Sequence, residues 1–163
     1  MQPSPPTLQL RAARSADSAR VLHCYLASYK AQLQALAPLT RSDPDLARWV
    51  RDTLIPAGGV TVAVESGAVV GFIGVAQRDD SAWIDHLYVH PSRLRRGVGS
   101  TLLYLALARL KGPVRLYTFE ANKVARKFYE RYGFSAIAFG DGSSNDAGCP
   151  DVLYERPATE RTN

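Results

Sequence analysis

Apolar positions along the chain switch between two periods, and the switches divide it into elements. Leu8 to Ala13 alternates weakly, as a half-buried strand does. From Ser15 the period lengthens: Val21, Leu22, Tyr25, Leu26 and Tyr29 recur at helical spacing, with Ser15 or Asp17 placed to cap the helix. A second helix is expected from Ser42-Asp43-Pro44, since proline suits a first turn, and its apolar face is Leu46, Trp49, Val50 and Leu54. Pro56 to Gly59 breaks the chain. Val60 to Val64 and Val69 to Val75 then flank Glu65-Ser66-Gly67 as an antiparallel hairpin, and a strand from Ala82 to Val89 completes a meander after the polar link Arg78-Asp79-Asp80. Alternation in that last strand predicts Trp83, Asp85, Leu87 and Val89 on one face and Ile84, His86 and Tyr88 on the other. Helix and strand alternate thereafter, which predicts an α/β fold: a mixed sheet of six to seven strands with about four helices on its two faces.

The most informative stretch follows the third meander strand. His90-Pro91 leads into Arg93-Leu94-Arg95-Arg96-Gly97-Val98-Gly99, which opens directly into the helical run Ser100-Thr101-Leu102-Leu103-Tyr104-Leu105. Glycines let successive backbone N–H groups turn toward one point, the helix adds its positive end, and arginines add full charges, so the loop reads as a cradle for a phosphate or pyrophosphate. Two familiar phosphate motifs do not account for it. A P-loop needs a lysine after its last glycine, and here Gly99 is followed by Ser100. A dinucleotide fingerprint needs a third glycine where Leu102 stands, and seven residues including Pro91 separate Val89 from Gly97. After the short strand Val114 to Glu120 comes a second signal, Asn122-Lys123-Val124-Ala125-Arg126-Lys127-Phe128-Tyr129-Glu130-Arg131-Tyr132-Gly133-Phe134. Read as a helix, Asn122, Ala125, Phe128 or Tyr129, and Tyr132 share a face, and Gly133 stops it.

These two segments resemble the GCN5-related N-acetyltransferase (GNAT) family, whose members transfer acetyl from acetyl-CoA to an amine. The second segment meets the family pattern from Asn122 to Phe134, and the first meets it from Gly97 onward. The opening position of the first is Leu94, where the family usually carries Gln or Arg, and Arg95 and Arg96 stand close enough to compensate. The resemblance covers roughly residues 60–155 and implies one GNAT-like domain over 1–163, with residues 1–7 expected to be disordered and 157–163 a flexible tail.

Composition agrees with this picture and narrows it. At 163 residues the chain has the size of one domain, able to bury about 70% of the surface its unfolded form exposes. Apolar residues make up 46% and charged residues 21%, as in ordinary globular proteins. The net charge of +5 comes from 16 arginines and 4 lysines against 15 acids. It suits nucleic acid or the phosphates of CoA equally, yet no nucleic-acid signature accompanies it, while Arg109, Lys123 and Arg126 are expected beside the phosphate loop. Cys24 and Cys149 lie far apart without further ligand spacing, so neither a metal site nor a disulfide framework is expected. No signal-peptide pattern and no membrane-spanning window is legible, which points to a cytoplasmic protein without a membrane partner.

The resemblance also implies roles. Backbone groups of Leu87, Tyr88 and Val89 would pair with the pantetheine arm, and Arg95, Arg96, Gly97, Val98, Gly99 and Ser100 would hold the pyrophosphate. Asn122 would contact the arm or orient Tyr129, whose hydroxyl would protonate the leaving thiolate. A general base is expected on the strand before the loop, with Asp85 and His86 both open; each is equally at home in a structural role. For the acceptor, Tyr25 and Tyr29 are candidates for the pocket wall or simply for the core. Gly140 to Asp151 is long for a hairpin connection, and Asp141 and Asp146 within it would attract a cationic amine if the loop is more than a solvated excursion. The implied partners are acetyl-CoA and a small-molecule or peptide amine. A homodimer is compatible with the class, though no exposed apolar stripe compels one. Two other readings stand beside the enzyme: a catalytically inactive CoA-binding regulatory module, and a basic nucleic-acid-binding protein.

Overall fold

The helical and alternating stretches form helices and strands in the expected order. The computed structural model describes residues 4–159, so the stretches expected to be disordered or flexible, 1–7 and 157–163, lie partly outside it. β1 (Gln9–Ala12) leads through a 3-10 turn at Ser15–Asp17 into α1 (Ser18–Gln32). α2 (Asp43–Trp49) starts at Ser42, whose hydroxyl accepts the Asp45 N–H at 3.3 Å, and runs on into a π-helical turn at Val50–Leu54. The meander β2 (Val60–Glu65), β3 (Ala68–Arg78) and β4 (Ser81–Val89) follows, then α3 (Val98–Arg109), β5 (Val114–Phe119), α4 (Lys123–Arg131), β6 (Ser135–Gly140) and β7 (Asp151–Arg156). The seven strands make one sheet in the order β1-β2-β3-β4-β5-β7-β6, antiparallel except where β4 meets β5. The expected α/β class, with a mixed sheet and four helices, is what forms.

Each face of the sheet carries its own apolar cluster. Val21, Tyr25, Leu46, Val50, Val62 and Phe72 pack α1 and α2 onto one side. Ile73, Leu102, Leu103, Leu116, Tyr129 and Val152 pack α3 and α4 onto the other. Each such fully buried side chain contributes about 1.5–3 kcal/mol relative to exposure. Asp17 does not cap α1 through its side chain. Its carboxylate turns back instead, accepting from Arg11 Nη1 and Nη2 at 2.7 and 2.8 Å and from the Arg14 N–H at 2.8 Å. These bonds tie β1 to the first helix, and the Arg11 guanidinium foremost lowers the Asp17 pKa to about 2.

The alternation predicted for β4 fails at Asp85. Ile84 pairs with Val75 and His86 with Gly74, which are consecutive on β3, so Asp85 is an extra residue on β4. Such a bulge resets which way the following side chains point. Ile84 therefore packs in the same cluster as Leu87 and Val89, and Tyr88 packs with Phe72 on the opposite side. The expected grouping of Ile84 with His86 and Tyr88 is overturned. A second consequence lies at the far edge of the strand: β4 pairs with β5 only at Ala82 and Trp83, opposite Val114 and Arg115. Beyond that point the two strands part, and the later backbone groups of β4 have no strand beside them on that side among the described residues.

Candidate active site

The loop between β4 and α3 is shaped by two left-handed residues. The His90 imidazole accepts the Ser92 N–H at 3.2 Å and starts a 3-10 turn, Pro91–Arg93. Arg95 then takes φ +60° and Gly97 φ +80°, and α3 begins at Val98. The left-handed region costs an ordinary side chain about 1–2 kcal/mol, so Arg95 holds it against its own preference. Backbone of this kind, ahead of a 12-residue helix, makes an anion-binding concavity. Gly99 matters for a different reason: a Cβ there would lie 3.4 Å from Val89 Cγ2 and 3.8 Å from Phe128 Cζ, so anything larger than a methyl group would fill the space between β4 and α4.

That space is a cavity of about 450 Å³. It is lined by Leu87–Val89, Arg95, Gly97–Ser100, Asn122 and Tyr129, which brings together all but one of the residues expected to hold the cofactor. Arg96 is the exception; it lines neither this cavity nor its neighbour. Arg109, Lys123 and Arg126 are also absent from it, contrary to expectation. Arg109 closes the far end of α3, about 18 Å from Gly97 by helical rise. Arg126 donates to the Tyr154 hydroxyl at 3.0 Å and to the Glu120 carbonyl at 3.1 Å. Arg93 and Arg131 stand at the cavity instead, so among the described residues three arginines and no acid line it. Arg131 was missed because nothing in its local pattern separates it from the other basic residues of α4.

A second cavity, of about 260 Å³, lies where β4 and β5 part. It shares Leu33, Leu87, Tyr88, Asn122, Ala125 and Tyr129 with the first, so the two are adjoining chambers. Asp85, His86, Tyr117, Asn145 and Asp151 line only the second. Of the residues suggested for an acceptor, Tyr25 and Tyr29 are buried in the α1 core, Tyr29 donating to the Ala37 carbonyl at 2.6 Å. Asp141 accepts the Ser143 N–H at 2.9 Å, and neither it nor Asp146 lines either chamber. The loop does reach the second chamber, but through Asn145 and Asp151.

The titratable groups on the shared boundary differ in what they can do. Tyr129 is buried, which pushes its phenol pKa well up and keeps it protonated; its hydroxyl makes no hydrogen bond among the described residues. Asn122 caps α4, its Oδ1 accepting the Ala125 N–H at 3.2 Å, which fixes the amide on the boundary of both chambers. Asp85 is held by Arg78, whose guanidinium donates to both carboxylate oxygens, one at 2.9 Å. His86 packs edge-on against Trp49, with ring centroids 5.2 Å apart, and its buried Nδ1 has no partner. Burial lowers the His86 pKa, so the ring is a neutral imidazole near pH 7.

Residues 22–134 match the model of the acetyltransferase (GNAT) family. The chain belongs to that family. A relative, the uncharacterized N-acetyltransferase YafP of Escherichia coli (strain K12), is 36% identical over 93 residues, which are 57% of this chain and 55% of YafP. The match thus spans about half the length of that relative. Among solved structures, a GNAT acetyltransferase from Bacillus cereus ATCC 10987 superposes with a TM-score of 0.73 at 18% identity, covering 94% of this chain and 99% of that one. PaiA N-acetyltransferase from Thermoplasma acidophilum, in complex with coenzyme A, gives 0.70 at 18% identity over 93% and 99%. These likenesses establish that the GNAT fold extends over nearly the whole chain. The described residues hold no helix long and apolar enough to cross a membrane.

Proposed function

We propose that this GNAT protein is an acetyl-CoA-dependent N-acetyltransferase acting on a primary amine by direct attack within a ternary complex. The observation that carries the reading is the pair of adjoining cavities with Tyr129 on their shared wall, one lined by arginines and the other by aspartates. The arginine-lined chamber fits a pyrophosphate: Arg95 and Gly97 supply the left-handed turns, α3 its positive end, and Gly99 the clearance. The parted edge of β4 at Leu87 and Val89 offers backbone groups to an extended amide-bearing arm, as an added strand would use them.

Acetyl-CoA supplies an acetyl thioester. The chain's own residues would manage the protons: the acceptor nitrogen forms a bond to the acetyl carbon, the carbon–sulfur bond breaks, one proton leaves the nitrogen and one is delivered to the thiolate. Tyr129 is the donor, since burial keeps its hydroxyl protonated. His86 is the better acceptor of the two candidates on β4, because its imidazole is neutral, whereas both oxygens of Asp85 are engaged by Arg78. Tyr129→Phe keeps the ring that packs against Phe128 and Phe134 and removes only the hydroxyl. We expect kcat, followed by free-thiol release, to fall about 100-fold while the Kd for acetyl-CoA stays within twofold. Unchanged turnover would remove Tyr129 from the mechanism. Acetyl-CoA binding without transfer to any amine would favour a regulatory module.

A further inference from the structure

We infer that the second chamber takes a compact amine bearing a second positive charge, and that Asp151 holds that charge. This rests on the acetyl-transfer reading and specifies its acceptor. The chamber is lined by two carboxylates and no Lys or Arg among the described residues. The two carboxylates are not equivalent. Asp85 is neutralised by Arg78. Asp151 accepts only from the neutral Asn145 Nδ2, at 3.0 Å, and has no cationic partner among the described residues. An ionised carboxylate offers about four lone-pair sites, so one neutral hydrogen bond leaves most of its capacity free.

Asp151 is also a built feature of its strand. Asn145 is fixed by Cys149 at both ends of its amide, donating to the Cys149 carbonyl at 2.8 Å and accepting the Cys149 N–H at 3.3 Å, so the donor that orients Asp151 is itself locked. The other anchor is an absence. Asp151 pairs with Gly140 across β6 and β7, and a Cβ on Gly140 would lie 2.3 Å from Asp151 Oδ1. The carboxylate therefore lies across position 140, in room that only glycine provides. Tyr117 and Phe119 line the same chamber and suit a methylene chain or an ammonium near their rings. A volume of about 260 Å³ admits a short chain of carbons with an amine at each end. The reacting amine, in its neutral form, would lie toward Tyr129 and His86; the second would remain an ammonium paired with Asp151. Transfer then makes one carbon–nitrogen bond and breaks the thioester carbon–sulfur bond, with the charged far end unchanged.

The test uses 1,4-diaminobutane and butylamine as probes against the full chain in the presence of CoA. Calorimetric titration gives affinity, and free-thiol release with acetyl-CoA gives KM. The wild type should bind the diamine about tenfold tighter than the monoamine. Asp151→Asn should bring that ratio to about one. Gly140→Ala should do the same by displacing the carboxylate, and the displacement is easily accommodated because the atom met is the free end of a side chain. Both variants should keep the wild-type Kd for acetyl-CoA, which reports that they remain folded. Equal affinity of the wild type for the two probes, a preference that survives in both variants, or a peptide N-terminal amine bound more tightly than either probe would overturn the inference. Loss of acetyl-CoA binding by the wild type would instead sink the transfer reading on which it stands.

Discussion

The two chambers meet at Tyr129 and Asn122 yet carry opposite charge. Among the described residues, Arg93 (paired with Glu65), Arg95 and Arg131 line a space of about 450 Å³ with no acid in its wall, and Asp85 and Asp151 line one of about 260 Å³ with no Lys or Arg. The net charge of +5 therefore describes neither. What each chamber can receive is set by local charge and by how that charge is held. The arginine side is held by backbone, through the left-handed turns at Arg95 and Gly97 and the start of α3. The aspartate side is held by side chains, through Arg78 on Asp85 and Asn145 on Asp151. Substitution of a single side chain should accordingly disturb the second chamber more readily than the first. Bulk placed in the backbone cradle should disturb the first.

The largest effect that sharpens this contrast is expected at His86. His86→Ala should lower kcat/KM about 100-fold while leaving the Kd for acetyl-CoA unchanged, because His86 lines only the aspartate-side chamber. The pH profile gives the sign. Burial depresses the His86 pKa below 6.5, so the neutral base persists above the depressed value and is lost as the pH falls through it. The acidic limb of kcat/KM in the wild type should fall below pH 6.5 and should vanish in His86→Ala. A limb that survives unchanged would assign deprotonation elsewhere.

The smallest effect on catalysis is expected far from both chambers. Asp17→Asn removes the carboxylate that joins β1 to α1 and should cost about 2 kcal/mol at pH 7, read by urea unfolding. The folded pKa lies near 2, below the ordinary 3.8, so this stabilisation is complete above pH 3.8 and is lost as the pH falls toward 2. The difference between wild type and variant should narrow over that range. Acetyl-CoA affinity should not change, and a change would mean that the two chambers are less independent of the β1 end than their walls indicate.

The difference between the chambers also explains what could be read from sequence. The arginine side was legible because a phosphate cradle is local: Gly97, Gly99 and the start of a helix are consecutive, and Asn122 to Phe134 is one continuous segment. The aspartate side is assembled from β4, β5 and the β6–β7 connection, which meet only in the fold. Asp141 and Asp146 were the visible acids of that connection, yet Asp151 faces the chamber, because it begins β7 opposite Gly140. Strand alternation assigned Ile84 to the wrong face because no residue pattern announces the extra residue at Asp85. Arg93 likewise reaches the first cavity from a 3-10 turn and Arg131 from the last position of α4, placements the sequence does not state.

Calorimetric titration of acetyl-CoA into the wild type and into Gly99→Trp, with circular dichroism to establish that the variant is folded, addresses the pairing of chamber and cosubstrate most directly. Gly99 has ordinary helical geometry, so the indole should leave α3 intact while it enters the gap between Val89 and Phe128. The wild type should bind saturably, and the folded variant should bind at least about 100-fold more weakly. Equal binding by both proteins, or none by the wild type, would contradict it.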